Sequence, residues 1–146
     1  LMNARGFTLP ELLVVLAVFG VTIAMSVGFA SNSVPKSQLT VEADVVVEKI
    51  RKAQARTISR DEDGVWGAHL TSSTVTLFLG TSYGSRDPDY DEVKTFKSGI
   101  TATGLTDVIF QYRTGETTDI GTITLTQAST NETKVITINE HGRAEK

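Results

Sequence analysis

The sequence has 146 residues, with 14 basic and 17 acidic side chains, a formal net charge of −3 and no cysteine. This length suits one domain with an appendage, and the lack of cysteine excludes disulfides and thiol-bound metals. The acidic balance disfavours a nucleic-acid-binding protein, so nucleic acid is not expected as a partner.

The chain begins with a short polar leader over residues 1–6, which is followed by an apolar stretch over 7–30. From Leu12 to Ala30 no side chain is charged. As a helix this part is about 28 Å long, close to the thickness of the hydrocarbon core of a bilayer. It is therefore predicted to be a transmembrane helix. Glu11 lies at its beginning, and a charge in such a segment usually marks function.

A cleaved secretory signal peptide is the alternative interpretation of this region. Small residues at Gly28 and Ala30 would suit its cleavage site. However, the apolar stretch is longer than an ordinary signal peptide requires, and Glu11 interrupts it where a signal peptide is most apolar. An ordinary cleaved signal peptide is therefore the less favoured interpretation.

Residues 31–60 have the pattern of an amphipathic helix. Apolar residues recur at alternating spacings of four and three, which places them on one helical face. Glu42, Lys49, Lys52 and Arg56 are predicted to lie off this face, and the helix is expected to end at Gly64 in the sequence RDEDG. The predicted buried stripe consists of Leu39, Ala43, Val46, Ile50, Ala53 and Thr57.

The remaining segment, 61–146, is rich in Thr, Val, Ile and Gly and predicts a β-rich globular head. Strands without intervening helices favour an antiparallel sheet, and the stripe of the preceding helix can cover its apolar face. The predicted fold class is therefore α+β, with a long N-terminal helix, half membrane-embedded and half amphipathic, packed against an antiparallel sheet. The strand candidates are 65–70, 73–79, 92–98, 107–113, 121–127 and 133–139.

The stretch GFTLPELLVVLAVFGV resembles the N-terminal signature of type IV prepilins and type II secretion pseudopilins. That signature is a short leader ending in Gly, then Phe, three residues, Glu and about twenty apolar residues. Gly6, Phe7, Glu11 and the apolar run stand here in that order. The resemblance implies a type IV pilin-like fold and a structural rather than an enzymatic protein.

The resemblance also implies how the chain is processed and assembled. Prepilin peptidase would cut between Gly6 and Phe7 and methylate the new amine of Phe7, and Glu11 would pair with that amine on a neighbouring subunit. The implied partners are other pilin or pseudopilin subunits, membrane lipid before assembly, and the inner-membrane platform with its assembly ATPase. The implied location is the cytoplasmic membrane, crossed once with the head outside, and then a surface or periplasmic filament; Arg5 favours this orientation.

The head is similar to that of the GspH/FimT class of minor pilins and pseudopilins. The similarity rests on KAQARTISRDEDGVWGAHL, STVTLFLGTSY and VITINEHGR. It implies a minor subunit. A membrane-anchored or secreted β-domain that binds a surface ligand without polymerising is the alternative function.

Asp87, Asp89 and Asp91 stand at alternate positions, and such carboxylates can bind calcium. The EF-hand pattern fails, so a solvated acidic loop is the preferred interpretation and no cofactor is expected. An enzyme is not expected either, because His69 and His141 are not accompanied by a nucleophile or phosphate-loop motif.

Overall fold

A computed structural model describes residues 8–146, except that the side chains of 25–36 are outside the description. By its internal contacts the chain divides into two compact units, and the boundary lies between Val34 and Pro35. The four segments predicted from composition, from the leader to the head, stay a prediction.

A single helix, α1, covers Leu9–Ser59. In its second half the predicted stripe is confirmed, because all six residues from Leu39 to Thr57 are buried. Thr57 joins this helix to the head. Its hydroxyl accepts a hydrogen bond of 2.9 Å from the backbone N–H of Trp66 and lies 2.9 Å from the carbonyl of Ala53.

Glu42 was predicted to lie off the buried stripe, and this is wrong. It is only 1% exposed, and one of its carboxylate oxygens has no hydrogen-bond partner among the described residues. Glu42 follows Leu39 by three residues and precedes Val46 by four, so helical geometry places it at the edge of the same face. The helix therefore buries a carboxylate together with its apolar side chains.

The helix ends differently from the prediction. The left-handed residue after the last turn is Arg60, with φ of 59°, whereas Gly64 has an extended backbone. Glu62 and Asp63 are also left-handed, at φ of 54° and 47°. The indole N–H of Trp66 donates to the carbonyl of Asp61 over 3.0 Å, which holds this turn against the head.

The head contains eight strands in two antiparallel sheets, where the sequence predicted six strands and one sheet. One sheet has the order β3-β2-β1-β5 and the other β4-β6-β7-β8. The α+β class with an antiparallel head is confirmed. The strands are β1 Trp66–Leu70, β2 Thr74–Leu79, β3 Asp87–Thr95, β4 Ile100–Gly104, β5 Asp107–Ile109, β6 Gly121–Gln127, β7 Glu132–Ile138 and β8 Ala144–Glu145.

One buried cluster unites the second half of α1 with the inner faces of both sheets. The largest buried side chain is Trp66, and Phe110, Ile123 and Ile136 are also fully buried. The two sheets are connected at one end, where the backbone N–H of Ala102 donates to the carbonyl of Ser72 over 3.0 Å. The head thus shares one core with the second half of α1.

Glu92 on β3 fastens the edge of the first sheet to α1. Its carboxylate lies 2.8 Å from each of three cations, those of Lys49, Lys52 and Arg56. Burial raises the pKa of Glu92, but hydrogen bonds from Lys49 and Lys52 and the charges of Lys49 and Arg56 outweigh it and lower the pKa to about 2. The carboxylate therefore binds its partners in the folded state over most of the pH range.

Replacing Glu92 by Gln is expected to lower the free energy of unfolding by about 1–2 kcal/mol at neutral pH, since a carboxylate one-third exposed is partly screened by solvent. The folded pKa lies below the ordinary value of 4.5, so this stability is present above pH 4.5 and disappears as the pH falls towards about 2. Urea unfolding, followed by the fluorescence of Trp66, measures the difference in the free energy of unfolding between Glu92→Gln and the unmodified chain.

The matched control is Glu48→Gln, which changes an exposed glutamate of the same helix. The free energy of unfolding of this variant should equal that of the unmodified chain at neutral and at low pH. If Glu92→Gln lowers the free energy of unfolding by the same amount at neutral and at low pH, then packing, and not the charge of Glu92, is responsible.

Candidate functional site

The start of α1 is a hydrogen-bonded helix cap. Thr8 precedes the first helical residue, Leu9, and its carbonyl accepts the backbone N–H groups of Glu11 and Leu12 at 3.1 and 3.2 Å. The backbone N–H of Thr8 in turn lies 3.5 Å from Oε2 of Glu11. This is one half of a capping box, the half in which a glutamate three residues after the N-cap approaches the N–H of the N-cap residue. Pro10 fits this first turn, where a backbone N–H has no intrahelical partner.

The capping role of Glu11 is a feature that sequence reasoning missed. The signal was present, because Thr8 and Glu11 have the T-x-x-E spacing of a capping box. Glu11 also suits the positive end of the helix dipole. Its carboxylate is exposed in the single chain and therefore accessible to a cation from another molecule.

Beyond the cap, the helix surface is apolar on every side. Every described side chain from Thr8 to Ala24 is exposed, and Thr22 keeps its hydroxyl within the helix, bonded to the carbonyls of Val18 and Phe19. A helix without a polar side requires lipid or other protein to cover it. The exposed large side chains are Leu9, Leu12, Leu13, Val14, Val15, Leu16, Val18, Phe19, Val21 and Ile23, each between 45 and 76% exposed.

Within the part of the chain that the structure describes, none of the helical stretches combines the length and the apolar character that crossing a membrane requires. The predicted transmembrane segment also includes residues 25–30, whose side chains lie outside this description.

Several predicted site residues also lie outside the described residues. These are the whole leader, 1–6, with Gly6 at its end, and Phe7, the predicted site of methylation. The predicted pairing of Glu11 with the amine of Phe7 on a neighbouring subunit therefore stays a prediction.

The acidic positions Asp87, Asp89 and Asp91 belong to strand β3 and not to a loop. Asp91 forms an ion pair of 2.8 Å with Arg86, and a carboxylate oxygen of Asp87 accepts the backbone N–H of Asp89 at 3.1 Å. Among the described residues, no three His, Cys, Asp or Glu side chains are placed to hold a metal ion. Calcium binding by these three aspartates stays the interpretation that the sequence does not favour.

His69 is part of a stacked arrangement on the first sheet. Its Nδ1 lies 2.8 Å from Asp107 on the neighbouring strand β5. Its ring stacks on Tyr83 with the centroids 3.6 Å apart, and the guanidinium of Arg86 lies 3.9 Å from the Tyr83 ring centroid. These contacts give His69 a structural role on the surface of the sheet. His141 lies in an exposed turn after β7.

Comparison with known families finds a match in the N-terminal part of the chain. Residues 1–27 match the model of the prokaryotic N-terminal methylation motif. The match confirms the prepilin-like N-terminal signature that was predicted from Gly6, Phe7 and Glu11. It does not extend into the head, so the similarity to the GspH/FimT class stays a prediction. No solved structure matches the chain.

Proposed function

We propose that this chain is a structural subunit, of the minor GspH/FimT class, in a type IV pilus or a type II secretion pseudopilus. The subunit has no enzymatic role and needs no cofactor. It is made as a precursor, held in the cytoplasmic membrane by its apolar helix with the head outside, and assembled into a filament after processing. Its partners are prepilin peptidase, other pilin or pseudopilin subunits, and the platform protein and ATPase of the assembly machine.

One observation carries this proposal: the stretch that matches the methylation motif contains a helix that is apolar on every side. The motif covers residues 1–27 and the exposed apolar side chains run from Leu9 to Ile23. A helix that only anchored the chain would not need a processed amine or an acid at its start. In a bundle of such helices, the apolar surfaces cover one another and exclude water.

Cleavage after Gly6 would create an ammonium at Phe7, next to the capped start of the helix. In the bundle this cation and the carboxylate of Glu11 on an adjoining subunit lie in a medium of low dielectric, where an unpaired charge is costly. Subunits would therefore dock in the register that brings the two charges together. Apolar contacts alone do not fix how two helices are shifted along each other, whereas this ion pair does.

The proposal is tested on the N-terminal peptide of the chain isolated from membranes of its own cells. After proteolytic digestion, the expected peptide begins at Phe7 and carries one added methyl group. Gly6→Leu should leave the precursor uncleaved, because a side chain at this position obstructs the close approach of the peptidase to the bond. Mass spectrometry of the N-terminal peptide distinguishes the two forms.

The matched control is Gly84→Leu, at a surface glycine with no heavy atom within 4 Å of the added Cβ. This variant should be processed normally. If the unmodified chain keeps its first six residues in assembled filaments, the proposed function is wrong.

A further inference from the structure

The turn between β6 and β7 presents an N-x-T sequence at the surface. Asn131 is followed by Glu132 and Thr133, and this is the N-x-S/T pattern of an N-glycosylation acceptor. None of the other asparagines, Asn3, Asn32 and Asn139, has Ser or Thr two residues later.

The geometry leaves the acceptor nitrogen accessible. Asn131 is exposed, with a left-handed backbone at φ of 53°, and its side chain makes no hydrogen bond among the described residues. The turn is short, because the flanking residues Gln127 and Glu132 are a directly paired couple of the two strands. Asn131 therefore lies at the tip of a hairpin.

Asn139 shows what a structural asparagine does in the same head. It is also followed by Glu, but its side-chain oxygen accepts the backbone N–H groups of His141 and Arg143 at 3.1 and 3.0 Å. A left-handed turn position needs only the asparagine at 131. The hydroxyl two residues later is not part of that turn: Thr133 is exposed on β7, opposite Thr126 of the neighbouring strand.

We infer that Asn131 is an N-glycosylation site whose donor is an oligosaccharide linked to a polyprenyl diphosphate. In the transfer, Nδ2 of Asn131 forms a bond to C1 of the first sugar and loses one proton. The bond from C1 to the phosphate oxygen breaks, and the polyprenyl diphosphate leaves with that electron pair. Thr133 supplies the hydroxyl by which a transferase recognises the acceptor. The added glycan projects from the hairpin tip, so the buried core does not have to move.

This inference rests on the proposed function, because such donors are used on the outer side of the membrane, where the head is proposed to lie. The test is peptide mass spectrometry of the full chain purified from its own cells. The expected result is a peptide containing Asn131 that is heavier by whole sugar residues, with the added mass assigned to the asparagine by fragmentation.

Variants of the third sequon residue make the test specific. Thr133→Ser keeps the hydroxyl and should keep the modification, whereas Thr133→Val, of similar size, should lose it, as should Asn131→Gln. An unmodified Asn131, or a glycan that survives Asn131→Gln because it is attached to a nearby hydroxyl, would overturn the inference.

The location of the head is measured on spheroplasts of the same cells by its accessibility to added protease, which reaches a periplasmic head as well as a surface one. A head that is accessible outside but carries no sugar overturns only the glycosylation site. A head that stays inside the cell overturns the proposed function as well.

Discussion

Replacing Glu11 by Gln is expected to abolish incorporation of the chain into filaments while the head stays folded. In a water-poor helix bundle, removing one partner of a buried ion pair leaves the other charge unpaired, at a cost of about 3–5 kcal/mol. Association should weaken by on the order of a hundred- to several thousand-fold. The amount of chain in sheared filaments, relative to the amount in membranes, measures the effect.

Glu11 has two possible roles, and the choice of substitution separates them. As a capping residue it needs only an oxygen near the backbone N–H of Thr8, and a glutamine can supply that. As the partner of the Phe7 amine it needs a negative charge. Glu11→Gln and Glu11→Ala should therefore be equally defective if the charge matters, and only Glu11→Ala should be defective if the cap matters.

The same experiment decides between a filament subunit and the alternative β-domain that does not polymerise. A passive anchor would tolerate both substitutions, because its helix is surrounded by lipid and not by copies of itself. Leader cleavage serves as the control, since prepilin processing of Glu11→Gln shows that the chain reached the membrane. Normal incorporation of this processed variant would contradict the proposed assembly mechanism.

The helix and its buried face were predictable from the sequence because their causes are local. The spacing of Leu39, Ala43 and Val46 repeats with the helical period, and this period alone selects the buried face. Glu42 was missed because its polarity was given more weight than its position on that face. Its burial depends on how far the sheets extend over the helix, and helical periodicity contains no such information.

The missed strands have non-local causes. Asp87 was expected in a solvated loop, but it begins β3, an edge strand, where the missing N–H of Pro88 is tolerated. The two-residue strand β8 depends on its pairing with β7. Strand β4, with its sequence ITATG, alternates between buried and exposed residues but has only five residues, and it is defined by its pairing with β6. The two sheets follow from these pairings, which short-range patterns do not specify.

Of the candidate site, the motif was predictable and the cap was overlooked. Gly6, Phe7 and Glu11 carry the signature in their spacing, and the family comparison matches the same stretch. The charge cluster around Glu92 was not predictable, because its cations come from a helix some forty residues earlier in the chain. Such contacts exist only after the head has packed on the helix.

Gly104 is the head position at which the smallest substitution is expected to have the largest effect on stability. Its φ of +107° is unfavourable for any residue with a side chain, and an added Cβ would lie 2.2 Å from the carbonyl oxygen of Thr122. That carbonyl accepts the backbone N–H of Leu105 at 3.0 Å, so the two strands cannot separate without losing a hydrogen bond. Backbone strain and overpacking together should cost about 3–5 kcal/mol in Gly104→Ala.

With no cysteine to cross-link the head, a loss of this size should lower the midpoint of thermal unfolding by about 10–20 °C. The fluorescence of Trp66, the only tryptophan and 1% exposed, reports the unfolding of the head core in the full chain. Gly84→Ala is the matched control, because its Cβ meets no atom within 4 Å. Equal midpoints for Gly104→Ala and Gly84→Ala would show that β4 and β6 do not approach each other as described, and the arrangement of the second sheet would have to be rejected.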